Sequence, residues 1–199
     1  CNCRRSEERR AGKECRSRRS PYHYKDLGVF AARAALDRSG VKPDEIDHVI
    51  FGNVLQSSPD AVYLARHVGL KVGCPHSVPA LTVNRLCGSG FQALVSGAQL
   101  LLLGDASLIL AGGAENMSQA PHVIRGARSG FPLGGGKMED SLWTALTDSY
   151  CNLNMAETAE NLARRYSITR EQSDAFAFES QMRAKSANEV ASAGLTCPR

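Results

Sequence analysis

A cysteine stands in a glycine-rich turn in the sequence NRLCGSGFQ, residues 84–92. The apolar residues just before this turn, 80–83, predict a buried strand. The apolar residues after it recur at helical spacing and predict a helix that ends at Gly104. Cys87 is therefore expected at a junction where a strand ends and a helix begins.

The same alternation continues on both sides of this junction. A helix is predicted from Asp26 to a stop at Gly40, and another over 61–70. Short apolar runs predict strands over 48–51 and 107–111, each running into glycine. Strands that alternate with helices predict an α/β fold with a largely parallel sheet.

The rest of the chain divides by composition. Residues 1–24 show no apolar periodicity and are interpreted as a disordered basic tail. Residues 25–113 form the predicted α/β core, and residues 114–199 a second region that opens with a long, glycine-rich insertion. Two helices follow the insertion, each with a capping sequence, at Asn154 and at Thr169.

Three local features would make a cysteine at position 87 reactive. Unpaired backbone N–H groups at a helix N-terminus favour a thiolate. Gly88 and Gly90 allow a bound thioester to approach the backbone closely, and the Cys87 N–H is placed to donate to an oxyanion. A single cysteine in a glycine-rich turn is a weak signal, and the local sequence by itself slightly favours the alternative, in which Cys87 is a small core residue and the glycines only form a turn.

Composition excludes several classes of function. The net charge is +4, but residues 1–25 hold nine Lys/Arg and three Glu, so the remainder is slightly acidic and nucleic-acid binding is not predicted. None of the seven cysteines forms a C-x-x-C pair, so no metal site is predicted. No uninterrupted run of about 18 apolar residues occurs, so no membrane span is expected.

Four motifs together resemble the N-terminal half of the thiolase family. Their order and spacing agree with the family over roughly residues 25–193: GNVLQ (52–56), NRLCGSGFQ (84–92), AGGAENMS (111–118) and MAETAENLA (155–163). Residues 56–70 are most similar to the mitochondrial 3-ketoacyl-CoA thiolase branch. Residues 155–163 resemble the start of the family's helical loop domain, so the resemblance implies that residues 114–199 are part of that loop domain. Ketoacyl synthases also place a cysteine at a strand–helix turn, but this match disfavours them.

This resemblance implies an acetyl-CoA C-acyltransferase that cleaves 3-ketoacyl-CoA to acetyl-CoA and a shortened acyl-CoA in fatty acid beta-oxidation. It implies that Cys87 carries the acyl group, that its backbone N–H belongs to an oxyanion hole, and that Met155 lines the acyl pocket. Met155 is equally well interpreted as an ordinary core residue at a helix start. CoA and acyl-CoA are implied as substrates, with no cofactor and no metal. A homodimer or homotetramer is implied for the intact family member.

The departures from the family limit these expectations. Thiolases also use Gly-His-Pro, Cys-x-Gly and Asn-Glu-Ala motifs, none of which occurs in this sequence. The first and last strands of the family's sheet are also unmatched, and because the first lies mid-sheet, a gap between the remaining strands is expected. The chain alone is therefore expected to fold poorly and to be inactive. The alternative function is an inactive fragment that at most associates with intact subunits.

The cellular compartment is predicted from the family branch rather than from an N-terminal targeting sequence. The branch implies mitochondria, with the cytoplasm or the peroxisome as alternatives. The Arg- and Ser-rich tail contains Glu7, Glu8 and Glu14, which are unusual in transit peptides.

Overall fold

The computed structural model describes residues 24–194, so the predicted tail lies outside the described residues. The described chain divides into two compact units, with the border between Leu146 and Thr147. The first unit contains the predicted α/β core and most of the insertion. The border between core and second region that was placed at 113/114 stays a prediction.

Three parallel strands form the sheet of the first unit: β1 (His48–Gly52), β2 (Ala80–Val83) and β3 (Ile109–Gly113). Their order is β2-β1-β3. The expected gap is absent, because β1 pairs directly with β3 along its whole length. Backbone groups at a buried gap would lack hydrogen-bond partners, and direct pairing satisfies them.

Helices cover both faces of this sheet: α1 (Tyr24–Ser39), α2 (Leu64–Val72) and α3 (Ser89–Leu103). Helices α1 and α2 pack on each other and form one core cluster with Val49 and Phe51 of β1. Side chains alternate along a strand, so the fully buried Ile50 between them faces the other side, where α3 packs on β1 and β3. The parallel α/β arrangement predicted from the sequence is confirmed.

Strand β3 starts two residues later than predicted. The Asp47 carboxylate accepts hydrogen bonds from the backbone N–H groups of Ser107 (2.7 Å) and Leu108 (3.0 Å). These two amides are therefore bonded to a side chain, and strand pairing begins at Ile109 opposite His48.

The insertion has little regular structure. In the first unit it contains a short antiparallel pair, β4 (His122–Ile124) with β5 (Met138–Asp140), followed by α4 (Ser141–Leu146). Most of its side chains are exposed.

The second unit consists of a two-residue strand pair, β6 (Thr147–Asp148) with β7 (Leu153–Asn154), and the helices α5 (Met155–Tyr166) and α6 (Arg170–Gly194). Both predicted caps are confirmed. The Asn154 side chain accepts from the Glu157 backbone N–H at 2.9 Å while Glu157 accepts from the Asn154 N–H. Thr169 and Gln172 form the same reciprocal pair at α6.

Helix α3 leaves much of its apolar surface uncovered. Phe91 is 79% exposed and Leu102 is 88% exposed, about three turns apart on one side of the helix. The segment Leu86–Leu103 has a mean hydropathy of 1.4 and is long and apolar enough to cross a membrane. The sequence prediction missed this segment, because it considered only uninterrupted runs of apolar residues. Length and composition alone do not distinguish a membrane span from a helix of a globular domain, and one side of α3 packs against the sheet through Ala93 and Gly97.

Candidate functional site

Cys87 lies where the sequence placed it, between the end of β2 and the start of α3. Gly88 is the N-cap of α3, so the thiol precedes the first turn of a 15-residue helix. The Cys87 side chain is exposed, which disfavours the interpretation as a core residue. Strands β1 and β3 end beside it, so the carboxyl ends of all three parallel strands meet at this edge of the sheet.

The turn before Cys87 contains a strained residue. Leu86 has φ = +50°, in the left-handed region that costs an L-residue roughly 1–2 kcal/mol. Both of its backbone groups are held. The Leu86 N–H donates to the Asn84 side chain at 3.0 Å, and its carbonyl accepts from the backbone N–H and the hydroxyl of Ser89. Such strain persists only where the surroundings enforce it, and it is frequent at functional sites.

Ser89 closes this turn from inside. It is buried, its hydroxyl donates to the Leu86 carbonyl at 2.6 Å, and the same hydroxyl accepts from the Arg85 N–H at 2.9 Å. Its own N–H donates to the Leu86 carbonyl at 2.9 Å. Of the five residues between β2 and α3, Arg85 and Leu86 are thus both bonded to the Ser89 side chain.

Glycine is required where β1 meets α3. A Cβ on Gly52 would lie 2.6 Å from the carbonyl carbon and oxygen of Ser89 and 2.9 Å from the Gly90 nitrogen. By contrast, a Cβ on Gly90 would meet nothing within 4 Å. The close backbone packing therefore requires glycine at position 52 and not at position 90. From the sequence, Gly52 was predicted only as the end of a strand.

A buried loop supports the turn from the β1 side. The Glu115 carboxylate, just beyond β3, accepts from the backbone N–H groups of Val54 (2.8 Å) and Leu55 (3.2 Å) and from the side-chain amide of Asn53 (3.1 Å). The Asn84 side-chain amide in turn donates to the Val54 carbonyl at 3.4 Å. Glu115 and Asn53 lie in the motifs AGGAENMS and GNVLQ, but no role was predicted for either. The available signal was an acid two residues beyond a strand that ends in glycines.

Met155 belongs to the second unit. It is the first residue of α5, next to the Asn154 cap, and its side chain is 46% exposed. This exposure disfavours the interpretation as a core residue within that unit. The acyl-pocket role of Met155 stays a prediction.

The other cysteines of the described chain differ from Cys87 in setting. Cys74 is buried, and burial raises the pKa of its thiol. Cys151 is exposed in the second unit. Within residues 24–194, no group of three or more His, Cys, Asp or Glu side chains is arranged to hold a metal ion.

Comparisons with known proteins agree with the fold and with the motifs at this edge of the sheet. Residues 8–192 match the family model described as thiolase, N-terminal domain. Human mitochondrial 3-ketoacyl-CoA thiolase is 56% identical over 166 residues, which are 83% of this chain and 42% of that protein. The chain thus spans less than half the length of the curated relatives that it matches.

Solved structures give the same result. A crystal structure of human mitochondrial 3-ketoacyl-CoA thiolase in complex with CoA matches with a TM-score of 0.83 and 54% identity, over 86% of this chain and 44% of that one. The acetyl-CoA acetyltransferase of Bacillus anthracis matches with a TM-score of 0.80 and 37% identity, over 86% and 43%. At these identities the similarity extends beyond a shared fold.

Proposed function

The chain belongs to the thiolase family, and we propose that Cys87 is its acyl-accepting nucleophile. The observation that carries this proposal is the exposed thiol at the N-terminus of α3, on a turn whose strained backbone is held by Asn84 and Ser89. A turn held in this way orients a side chain before the substrate arrives.

In the proposed reaction the Cys87 thiolate attacks the C3 keto carbon of a 3-ketoacyl-CoA. The bond between C2 and C3 then breaks, its electron pair stays on C2, and C2 takes up a proton, so that acetyl-CoA leaves. The remaining acyl group is held as a thioester on Cys87. The thiol of a second CoA attacks this thioester, releases a shortened acyl-CoA and returns the cysteine.

The chain's own contribution to this step is electrostatic and positional. Backbone N–H groups at the start of α3 carry partial positive charge, which stabilises an anion beside them. The Cys87 N–H is proposed as one donor to the oxyanion that forms on the attacked carbonyl. Met155 is proposed to contact the acyl chain. CoA and acyl-CoA are substrates in this scheme, which needs no cofactor.

The biological setting is proposed from the relatives. Several similar curated proteins are named mitochondrial 3-ketoacyl-CoA thiolases, which supports a mitochondrial enzyme of fatty acid beta-oxidation over a cytoplasmic or peroxisomal one. A homodimer or homotetramer is proposed for the intact family member. Neither a nucleic acid nor a membrane is proposed as a partner.

A second candidate is a non-catalytic role, in which the chain associates with intact thiolase subunits. The uncovered side of α3, with Phe91 and Leu102 exposed, favours it, since apolar surface of this kind marks contact with another protein. In this case Cys87 keeps its position but accepts no acyl group.

Intact-mass spectrometry after incubation with acetoacetyl-CoA separates the two candidates. A single acetyl adduct that disappears in Cys87→Ala and persists in Cys151→Ala supports Cys87 as the nucleophile. Cys151→Ala is the matched control, because both cysteines are exposed. No adduct, or adducts spread over several cysteines, contradicts the catalytic proposal and favours the association role. That role is then tested by co-purification of the tagged chain with a full-length family member.

A further inference from the structure

One carboxylate connects the loops at the carboxyl ends of β1 and β3. Glu115 follows β3, yet all three of its hydrogen-bond donors lie in the loop after β1, residues 53–55. The side chain is half-buried, so these bonds are partly shielded from water. Hydrogen bonds to an ionised acceptor are about twice as strong as neutral ones, so Glu115 fixes this loop.

The same loop continues to the turn that holds the thiol. Val54 donates its backbone N–H to Glu115. The carbonyl of the same residue accepts from the Asn84 side-chain amide at 3.4 Å. The other end of the Asn84 side chain accepts from the Leu86 N–H at 3.0 Å, one residue before Cys87. A continuous path of hydrogen bonds therefore runs from Glu115 through Val54 and Asn84 to the strained Leu86.

We propose that Glu115 is a positioning residue for Cys87. Its carboxylate holds the 53–55 loop, the loop holds Asn84, and Asn84 holds the left-handed Leu86 that aims the thiol. Glu115 acts through Asn84 and takes no part in bond making. The inference deepens the proposed function, because the aim of the thiol matters only if Cys87 accepts an acyl group.

The opposite edge of the sheet supplies a matched control. Asp47, just before β1, accepts from the backbone N–H groups of Ser107 and Leu108, just before β3. Both carboxylates thus link β1 to β3 through two backbone amides. Only Glu115 lies at the edge that carries Cys87.

The test compares Glu115→Gln, Asn84→Ala and Asp47→Asn in the full 199-residue chain. Amide hydrogen exchange is measured on the turn at Leu86, Gly88 and Ser89, whose N–H groups are hydrogen-bonded. Loss of a local restraint raises the exchange rate of those amides without global unfolding. We expect an increase of about fivefold or more in the first two variants and none in Asp47→Asn. Equal rates in wild type and Glu115→Gln, or the same increase in Asp47→Asn, overturn the proposal.

Acetyl transfer is the second readout. If wild type forms the acetyl-Cys87 adduct, Glu115→Gln must form it about fivefold more slowly, while Asp47→Asn forms it at the wild-type rate. An unchanged rate in Glu115→Gln overturns the positioning role even where exchange increases. If wild type forms no adduct, the proposed function fails, and the exchange data alone decide whether Glu115 holds the Cys87 turn.

Discussion

Gly52 and Ser89 lie backbone against backbone where β1 meets the start of α3, with 2.6 Å between the position of a Gly52 Cβ and the Ser89 carbonyl carbon. No side chain fits there without a shift of the α3 start. Gly52→Ala is therefore expected to lower the free energy of unfolding by about 1–3 kcal/mol and to displace the Cys87 turn. Urea unfolding measures the first effect, and the yield of the acetyl-Cys87 adduct measures the second.

Gly90→Ala is the control for this substitution, because a Cβ at Gly90 would meet open space. We expect it to change the free energy of unfolding by less than about 0.5 kcal/mol. Equal destabilisation by the two alanines would contradict the close approach at Gly52.

The left-handed backbone of Leu86 predicts a stabilising substitution. Asn adopts this conformation more readily than Leu, so Leu86→Asn is expected to raise the free energy of unfolding by about 0.5–1 kcal/mol. Leu86→Ala keeps the unfavourable φ and loses little packing, since Leu86 is 61% exposed. If the Asn variant is no more stable than the Ala variant in urea unfolding, Leu86 is not strained as described.

The Asp47 contact predicts a dependence of stability on pH. Hydrogen bonds from the backbone N–H groups of Ser107 and Leu108 lower the pKa of the Asp47 carboxyl. A carboxyl whose pKa is lower in the folded state stabilises the fold above its ordinary value of about 3.9, and this stabilisation is lost as pH falls through the folded-state pKa. Asp47→Asn is therefore expected to be less stable than wild type at neutral pH, with the difference disappearing in acid.

Urea unfolding of both proteins between pH 7 and about pH 2 measures this difference. A stability difference that stays constant across that range would show that the Asp47 charge contributes nothing.

The uncovered side of α3 predicts self-association. Exposed apolar side chains such as Phe91 and Leu102 promote contact between molecules, so the double variant Phe91→Gln/Leu102→Gln is expected to form fewer oligomers in sedimentation velocity. Leu133→Gln, which removes an exposed leucine of the insertion, is the control. A double variant that sediments like wild type would contradict a role for this surface in association.

Local patterns predicted the strand–turn–helix unit at Cys87. Alternating burial, helical spacing and a glycine stop act over a few residues, and Gly104 indeed ends α3 with a φ of +77°. The caps at Asn154 and Thr169 were predictable for the same reason.

Features that depend on distant contacts were not predictable in this way. The bonds from Glu115 to the 53–55 loop join residues about 60 positions apart, and nothing near Leu86 signals its left-handed backbone. The expected gap in the sheet was wrong because strand order is decided by which backbone groups find partners, and β1 finds β3. The gap was the reason for expecting the chain to fold poorly, and direct pairing removes that reason. The apolar side of α3 is still uncovered.

The direct pairing of β1 with β3 also has a consequence for how the chain acquires its structure. The Asp47 carboxylate bonds an amide 60 residues further along the chain, and every strand pair of the sheet is parallel, so no hairpin is available to start it. The entropy of closing such long loops must be overcome before the pairing stabilises anything, which slows folding. During synthesis β1 has no partner on its β3 side until Gly113 has left the ribosome, and its apolar residues stay open to incorrect contacts for that interval.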